Sequence, residues 1–172
     1  MKTWIKILGG VVCALAVLWV VAWRQDALAQ SSFVLQDPRT ADAVRVEAGA
    51  PVLHLVFFAI WCPPCQDELR ELGDLSARWS ERGYRLVLVG VKNRQTAERL
   101  ARFMSDNPLP GELLYDADGS VQAKLGADQL PTHILFDASG RELLRAGGLD
   151  EGVAPAVESA LKEAGRDGGT RR

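Results

Sequence analysis

Two cysteines separated by two residues, Cys62 and Cys65, are the side chains of this 172-residue sequence best suited to covalent chemistry. They stand in the motif WCPPC, directly after the apolar run Val52–Phe58 and before a helical pattern. A thiol at a helix amino terminus faces the positive end of the helix dipole, which stabilises the attacking thiolate. Across one helical turn the second sulfur reaches the first, so a mixed disulfide is resolved within the molecule. The spacing therefore predicts a dithiol redox site at a strand-to-helix junction.

Other uses of the pair fit the sequence less well. A zinc site needs two further ligands, and the only histidines are His54, inside the apolar run, and His133. A purely structural disulfide would close so small a loop that it gains little stability. A peroxidatic cysteine would be expected to follow a Pro-x-x-x-Thr/Ser-x-x-Cys pattern, which the residues before Cys62 do not match. The third cysteine, Cys13, lies in an apolar segment and is interpreted as packing, and no cofactor is predicted.

The two prolines between the cysteines limit how far the thiolate is stabilised. A thiolate at a helix cap accepts hydrogen bonds from the next backbone N–H groups, and Pro63 and Pro64 have none. Only the Cys65 N–H or thiol remains to stabilise the Cys62 sulfur. We therefore expect a dithiol that is more reducing than a strong oxidase.

The elements around the motif predict an α/β sandwich with a mixed central sheet. The apolar run before the motif has the composition of a strand buried on both faces. The predicted strands are Phe33–Leu35, Val44–Val46, Val52–Phe58, Tyr84–Val91, Leu113–Tyr115, Thr132–Phe136 and Arg141–Arg145. One predicted helix follows the motif and ends at Gly83. The other predicted helices are Thr96–Ser105, Val121–Leu125 and Val153–Ala164. No internal repeat is visible.

The first thirty residues read as an export segment. Residues 7–23 are uncharged and follow Lys2 and Lys6, which hold that end in the cytoplasm. Ala27 and Ala29 form a small-x-small cleavage signature, whereas the length of the run and its tryptophans favour a retained anchor. Both alternatives export the remainder. The predicted organisation is a signal-anchor or signal peptide over 1–29, one domain over 30–164 and a flexible tail over 165–172.

Composition excludes several classes of protein. Hydrophobic residues make up 48% and charged residues 24%, which argues against a disordered chain and a polytopic membrane protein. The formal net charge is −2 and the longest basic cluster is Arg171-Arg172, so no nucleic-acid partner is expected.

From about Phe33 to about Ala164 the sequence resembles the thioredoxin superfamily, specifically its membrane-associated bacterial branch of TlpA-, ResA- and CcmG-like proteins. VFFAIWCPPC looks like the strand-to-active-site passage of that family, and Leu130-Pro131-Thr132 looks like its cis-proline loop. The turns YDADG and LFDASG look like those that bracket this loop. The unit between Tyr84 and Pro110 is similar to the insertion that separates this branch from plain thioredoxin. The resemblance implies a thioredoxin-like three-layer sandwich with an inserted strand–helix unit.

The resemblance also implies roles at matching positions. Cys62 would be the attacking nucleophile and Cys65 the more buried, resolving thiol. Pro131 would be cis, which leaves the Leu130 backbone free to pair with an extended substrate, with Thr132 beside it. The alternative for Pro131 is an ordinary proline at a strand start. Trp61 would form an apolar lip beside Cys62.

Glu68 matches an acidic residue that this branch carries three positions after the second cysteine. It would accept a proton from Cys65, and its alternative is a solvated helix charge. Plain thioredoxins have a buried Asp where this chain has Val56, which puts more weight on Glu68. His133 is interpreted as a strand residue with a local hydrogen bond, and its alternative is a catalytic group.

These observations predict an exported thiol–disulfide oxidoreductase that keeps partner cysteines reduced. The resemblance suggests cytochrome c assembly, with an apocytochrome or another exported thiol protein as substrate and a membrane thiol reductant as electron donor. The membrane itself would be contacted through the amino-terminal segment. The alternative is a thioredoxin-like protein that binds Cu(I) through Cys62 and Cys65.

Overall fold

The computed structural model describes Trp19 and residues 32–169. Apart from Trp19, the predicted export segment, with Cys13 and the Ala27–Ala29 signature, lies outside the described residues. In the part of the chain that is described, none of the helices combines the length and the hydropathy needed to span a membrane.

Residues 32–169 form seven strands and four helices. The strands are β1 (Ser32–Gln36), β2 (Ala43–Glu47), β3 (Val52–Phe58), β4 (Tyr84–Gly90), β5 (Glu112–Tyr115), β6 (Thr132–Asp137) and β7 (Glu142–Ala146). The helices are α1 (Pro63–Trp79), α2 (Ala97–Asp106), α3 (Ser120–Leu125) and α4 (Val153–Gly169). A 3-10 turn over Ser80–Arg82 continues α1 and ends at Gly83, whose φ of 89° favours glycine.

The sheet is mixed, with strand order β2-β1-β5-β4-β3-β6-β7. Central strand β3 pairs with β4 in parallel and with β6 antiparallel. Every residue of β3 is buried, as the continuous apolar run predicts. The amino-terminal hairpin β1–β2 joins the rest of the sheet through one pair, Gln36 with Tyr115.

Helices cover the sheet on both faces. Trp79 of α1 donates a hydrogen bond to Glu158 of α4, which places these helices side by side. Phe103 of α2 packs against Phe58, whose side chain shares the β3 face of His54. Helices α1, α2 and α4 therefore lie on one face of the sheet.

On the opposite face, Phe33 of β1 contacts Phe136 with ring centroids 5.9 Å apart. Lys124 of α3 lies 5.0 Å from the centre of the Phe33 ring. Helix α3 thus forms the third layer, beside the β1 end of the sheet. The predicted three-layer sandwich with a mixed sheet is confirmed.

The end of the chain differs from the prediction. Helix α4 continues to Gly169, five residues beyond the predicted end at Ala164, so residues 165–169 are helical. A glycine inside a helix costs only about 1 kcal/mol relative to alanine and does not interrupt the backbone hydrogen bonds. Gly165 therefore lowers the local helix propensity without ending the helix.

Candidate active site: a dithiol at a helix amino terminus

Cys62 and Cys65 form a disulfide at the start of α1. The two sulfurs are bonded at 2.10 Å and the two Cα atoms lie 5.3 Å apart. Cys62 is the amino-terminal cap of α1, and Cys65 lies in its first turn. Both are buried, with 5% of Cys62 and 2% of Cys65 exposed. The predicted junction of strand and helix thus places both sulfurs together.

The cap hydrogen bond has the form that the two prolines dictate. The Cys65 N–H donates to the Cys62 sulfur at 3.3 Å. Pro63 and Pro64 occupy the first two positions of the helix and supply no N–H. The expectation that only the Cys65 N–H is left for this sulfur is confirmed.

A buried glutamine braces the loop that leads into the motif. The side chain of Gln95, in the loop after β4, accepts a hydrogen bond from the Ile60 N–H at 3.0 Å and donates to the Phe58 and Val91 carbonyls. Gln95 is 5% exposed, and its backbone carbonyl accepts a hydrogen bond from the Tyr115 hydroxyl. Sequence reasoning missed Gln95. The pattern that could have indicated it is the parallel pairing of β3 and β4, because this pairing brings the loops at the carboxyl ends of the two strands together.

Trp61 is held in place beside the disulfide. Its indole N–H donates to the Asn93 carbonyl at 2.8 Å, and the Arg94 guanidinium lies 5.0 Å from the ring centroid. An open groove of about 380 Å³ runs along this surface. Its lining includes Trp61, Cys62 and Leu130. The predicted apolar lip therefore borders a groove that Cys62 also lines.

The peptide bond between Leu130 and Pro131 is cis. In the described part of the chain, the Leu130 peptide group forms no backbone hydrogen bond with another residue. Pro131 and Thr132 are buried, and the Thr132 hydroxyl donates to the Gln129 carbonyl at 2.7 Å. Leu130 thus faces the groove, whereas Pro131 and Thr132 are not among its lining residues.

Glu68 is not a solvated helix charge. Its carboxylate is 19% exposed and lies 2.9 Å from Nε2 of His133. The Leu149 N–H donates to its other oxygen at 3.0 Å. Burial acts to raise the pKa of Glu68, but the hydrogen bonds from His133 and Leu149 outweigh it and lower the pKa. Glu68 is therefore an oriented, ionised carboxylate one helical turn after Cys65.

Behind Glu68 the polar contacts continue into the core. Nδ1 of His133 lies 3.0 Å from Nε2 of His54, and Nδ1 of His54 lies 2.6 Å from the Tyr84 hydroxyl. Burial, together with the neighbouring His133, lowers the pKa of His54 well below its usual range. Burial likewise raises the pKa of Tyr84. Instead of the expected local hydrogen bond, His133 contacts Glu68 and His54, which are distant in the sequence, and is part of a row of four polar side chains.

Among residues 32–169 and Trp19, no group of three or more His, Cys, Asp or Glu side chains is placed to hold a metal ion. The ring nitrogens of His54 and His133 are occupied by the contacts with Tyr84, Glu68 and each other.

Fold and site together define a thioredoxin-fold protein with a two-cysteine redox centre. Residues 32–141 match the family model described as AhpC/TSA family, and the chain belongs to this family. The match covers most of the described domain and includes both cysteines.

The chain is similar to proteins named for thiol–disulfide chemistry. It is 33% identical over 123 residues to the thiol:disulfide interchange protein DsbE of Escherichia coli, covering 67% of this chain and 63% of that protein. It is 25% identical over 111 residues to the thiol-disulfide oxidoreductase ResA of Bacillus thuringiensis, covering 64% of this chain and 62% of that protein. The matched part therefore spans less than two thirds of the length of either relative.

A solved structure from Chlorobium tepidum, described as a candidate thiol:disulfide interchange protein DsbE, has the same fold. Its TM-score is 0.65 at 24% identity, covering 76% of this chain and 93% of that one. The ResA- and DsbE-named relatives, together with this fold, confirm the predicted resemblance to the TlpA-, ResA- and CcmG-like branch of the thioredoxin superfamily.

Proposed function

We propose that this protein is a thiol–disulfide oxidoreductase that reduces disulfides of partner proteins through Cys62 and Cys65. The disulfide at the amino terminus of α1, beside an open groove, is the observation that carries the proposal. The names of the ResA- and DsbE-type relatives support the same reaction class.

The reaction begins from the reduced dithiol. The Cys62 thiolate attacks one sulfur of the substrate disulfide, forms a mixed disulfide and releases the other substrate sulfur as a thiolate. The Cys65 thiolate then attacks the Cys62 sulfur, which forms the Cys62–Cys65 disulfide and releases the second substrate thiol. Two electrons pass to the substrate, and a membrane thiol reductant restores the dithiol in the cell.

Glu68 acts as the proton acceptor for Cys65 in this scheme. It lies three residues after Cys65, and residues at this spacing are neighbours on one side of a helix. Its lowered pKa keeps the carboxylate ionised, which is the form that accepts a proton.

The groove receives an extended segment of the substrate. Trp61 supplies an apolar wall, and the Leu130 peptide group offers hydrogen bonds to a neighbouring strand. Pro131 and Thr132 support Leu130 from the buried side. An apocytochrome c, which must present reduced cysteines for haem attachment, is the proposed substrate class.

The domain works on the far side of the cytoplasmic membrane in this proposal. Support comes from the uncharged run over residues 7–23 and the lysines that precede it. The segment either anchors the protein or is removed after Ala29. Protease protection of the full chain in membrane vesicles shows on which side of the membrane the domain lies. The mass of the mature chain shows whether the segment is removed.

Insulin-disulfide reduction tests the reaction directly. We expect the wild type to reduce insulin with a thiol donor and Cys62→Ser to lose this activity entirely. Cys13→Ser, which removes the remote cysteine, serves as the matched control and retains the wild-type rate. Cys65→Ser is expected to accumulate a mixed disulfide with the substrate, because the resolving thiol is absent.

The reduction potential of the pair tests the direction of electron flow. A value of about −270 mV or below supports a reductant, and one near −120 mV contradicts the proposal. Absence of disulfide exchange combined with tight Cu(I) binding by the wild type would instead support the copper-binding alternative.

A further inference from the structure

A row of four polar side chains crosses the interior from β4 to α1. Tyr84 begins β4, His54 lies on β3, His133 lies on β6 and Glu68 lies on α1. In the strand registers Val52 pairs with Tyr84 and Val56 pairs with His133, so the first three side chains share the sheet face that α1 covers. His54 and His133 are completely buried.

The hydrogen bonds of this row have one direction. Glu68 is ionised and only accepts, so Nε2 of His133 carries the proton that it donates to Glu68. If His133 is neutral, its Nδ1 accepts from Nε2–H of His54, whose Nδ1 then accepts from the Tyr84 hydroxyl. Each donor in the row then has an acceptor.

A doubly protonated His133 would disrupt this pairing of donors with acceptors. It would donate from both nitrogens and force His54 to donate to the Tyr84 oxygen instead. Tyr84 would then need a second partner for its hydroxyl proton, and within residues 32–169 His54 is the only hydrogen-bond partner of that hydroxyl. A buried, unpaired hydroxyl costs about 1–3 kcal/mol.

We propose that His133 is a positioning residue for Glu68, and that His54 and Tyr84 fix His133 in the tautomer that donates to the carboxylate. The proposal rests on the proposed function, because it concerns how Glu68 serves Cys65. In this proposal His133, on β6, orients the Glu68 carboxylate and governs its protonation.

Other charged groups around Glu68 do not replace His133. On its own helix the charges nearest in sequence are Asp67, Arg70 and Glu71, all exposed. The loop between β7 and α4 carries Asp150 and Glu151, also exposed, beside the Leu149 N–H that donates to Glu68. None of these side chains donates to the Glu68 carboxylate, so His133 is the one side chain with a donor on it among the described residues.

The first test is the tautomer of the two imidazoles in the full-length wild type. Nitrogen-15 NMR at neutral pH is expected to show both histidines protonated at Nε2 and bare at Nδ1. Either ring protonated at Nδ1 would overturn the proposal. This measurement needs no variant and no enzymatic activity.

The second test is the titration of Glu68 by carbon-13 NMR, with Glu68→Gln used to assign its signal. We expect His133→Phe to raise the proton affinity of Glu68 by about tenfold or more. Burial then favours the protonated carboxyl group without the opposing hydrogen bond from His133. His133→Gln, whose amide N–H reaches the position of Nε2, is expected to restore most of the wild-type value. Tyr84→Phe should give a smaller change in the same direction.

The same variants are compared in the pH–rate profile for insulin reduction. The acidic limb of His133→Phe is expected to move to higher pH by the shift seen in the Glu68 titration. A folded His133→Phe with an unchanged Glu68 titration would reject the positioning role, even if the wild type is active. A wild type that exchanges no disulfide would reject the proposed function, while the NMR measurements would still decide the positioning of Glu68.

Discussion

The sulfur of Cys62 receives one backbone hydrogen bond within the described residues, from Cys65. At a helix start the cap side chain is normally served by the N–H groups of the second and third helical residues. Here the second residue is Pro64, which has no N–H. The identity of that single residue therefore limits how strongly the Cys62 thiolate is stabilised.

Pro64→Ala restores the missing donor. We expect it to lower the pH midpoint of Cys62 alkylation and to raise the reduction potential of the pair, because a second N–H stabilises the thiolate of the reduced form. Both quantities are measured on the full chain after reduction.

Pro63→Ala is the matched control, because the N–H of the first helical residue does not serve the cap. An equal change in both variants would contradict this interpretation of the cap.

In the wild type, a pH midpoint of Cys62 alkylation below about 5 would contradict the reducing character of the pair, since strongly oxidising dithiols titrate at about 3.5.

Among the elements, the loop after β4 is what fixes the approach to the dithiol. Gln95 joins this loop to the one after β3 through hydrogen bonds with Ile60, Phe58 and Val91. Asn93 and Arg94 of the same loop hold the Trp61 ring. The geometry of the WCPPC segment thus depends on a neighbouring strand as well as on its own helix.

Gln95→Ala is expected to lower the free energy of unfolding by about 2–4 kcal/mol, because it leaves the Ile60 N–H and the Val91 carbonyl without their buried partner, whereas the Phe58 carbonyl keeps the Val91 N–H. Urea unfolding monitored by circular dichroism measures the loss. Gln36→Ala, which removes one exposed hydrogen bond to Ala41, is the control and should change stability by less than about 0.5 kcal/mol. Equal effects of the two substitutions would contradict the bracing role of Gln95.

Local pattern was sufficient to predict most elements and the position of the dithiol. The run Val52–Phe58 matches β3 at both ends, and the predicted helix Thr96–Ser105 matches α2 to within one residue at each end, with Thr96 as its cap. These features depend on neighbouring residues in the sequence.

The contacts between distant strands could not be predicted in this way. His54 and His133 are 79 positions apart, and their hydrogen bond depends on the register between β3 and β6. The resemblance pointed to Glu68, but its partner on β6 required the antiparallel pairing to be known. The end of α4 was missed because a glycine weakens a helix without necessarily ending it.

For the whole molecule, the buried polar row makes stability depend on pH. The lowered pKa of His54 means that the folded state does not bind a proton there, whereas the unfolded chain does so below about pH 6.5. As pH falls through 6.5 the unfolded state gains protons that the folded state lacks, so the folded state loses stability. The carboxylates with lowered pKa act only at lower pH, since their unfolded values lie near 4.

We expect the free energy of unfolding to fall by about 1.4 kcal/mol per pH unit below pH 6.5, which is the slope for one proton. Urea unfolding at intervals from pH 7.5 to 5 measures this slope. His54→Phe is expected to flatten the dependence whatever its absolute stability. A wild type whose stability is constant over this range would contradict the assignment.

The two outer strands of the sheet bear on self-association. Unpaired edge strands can recruit further strands and so template aggregation, and exposed charges on an edge oppose this. Strand β2 exposes Arg45 and Glu47, and strand β7 exposes Glu142 and Arg145. These charges therefore oppose the addition of a further strand at either end of the sheet, and so oppose templating of cross-β aggregates there.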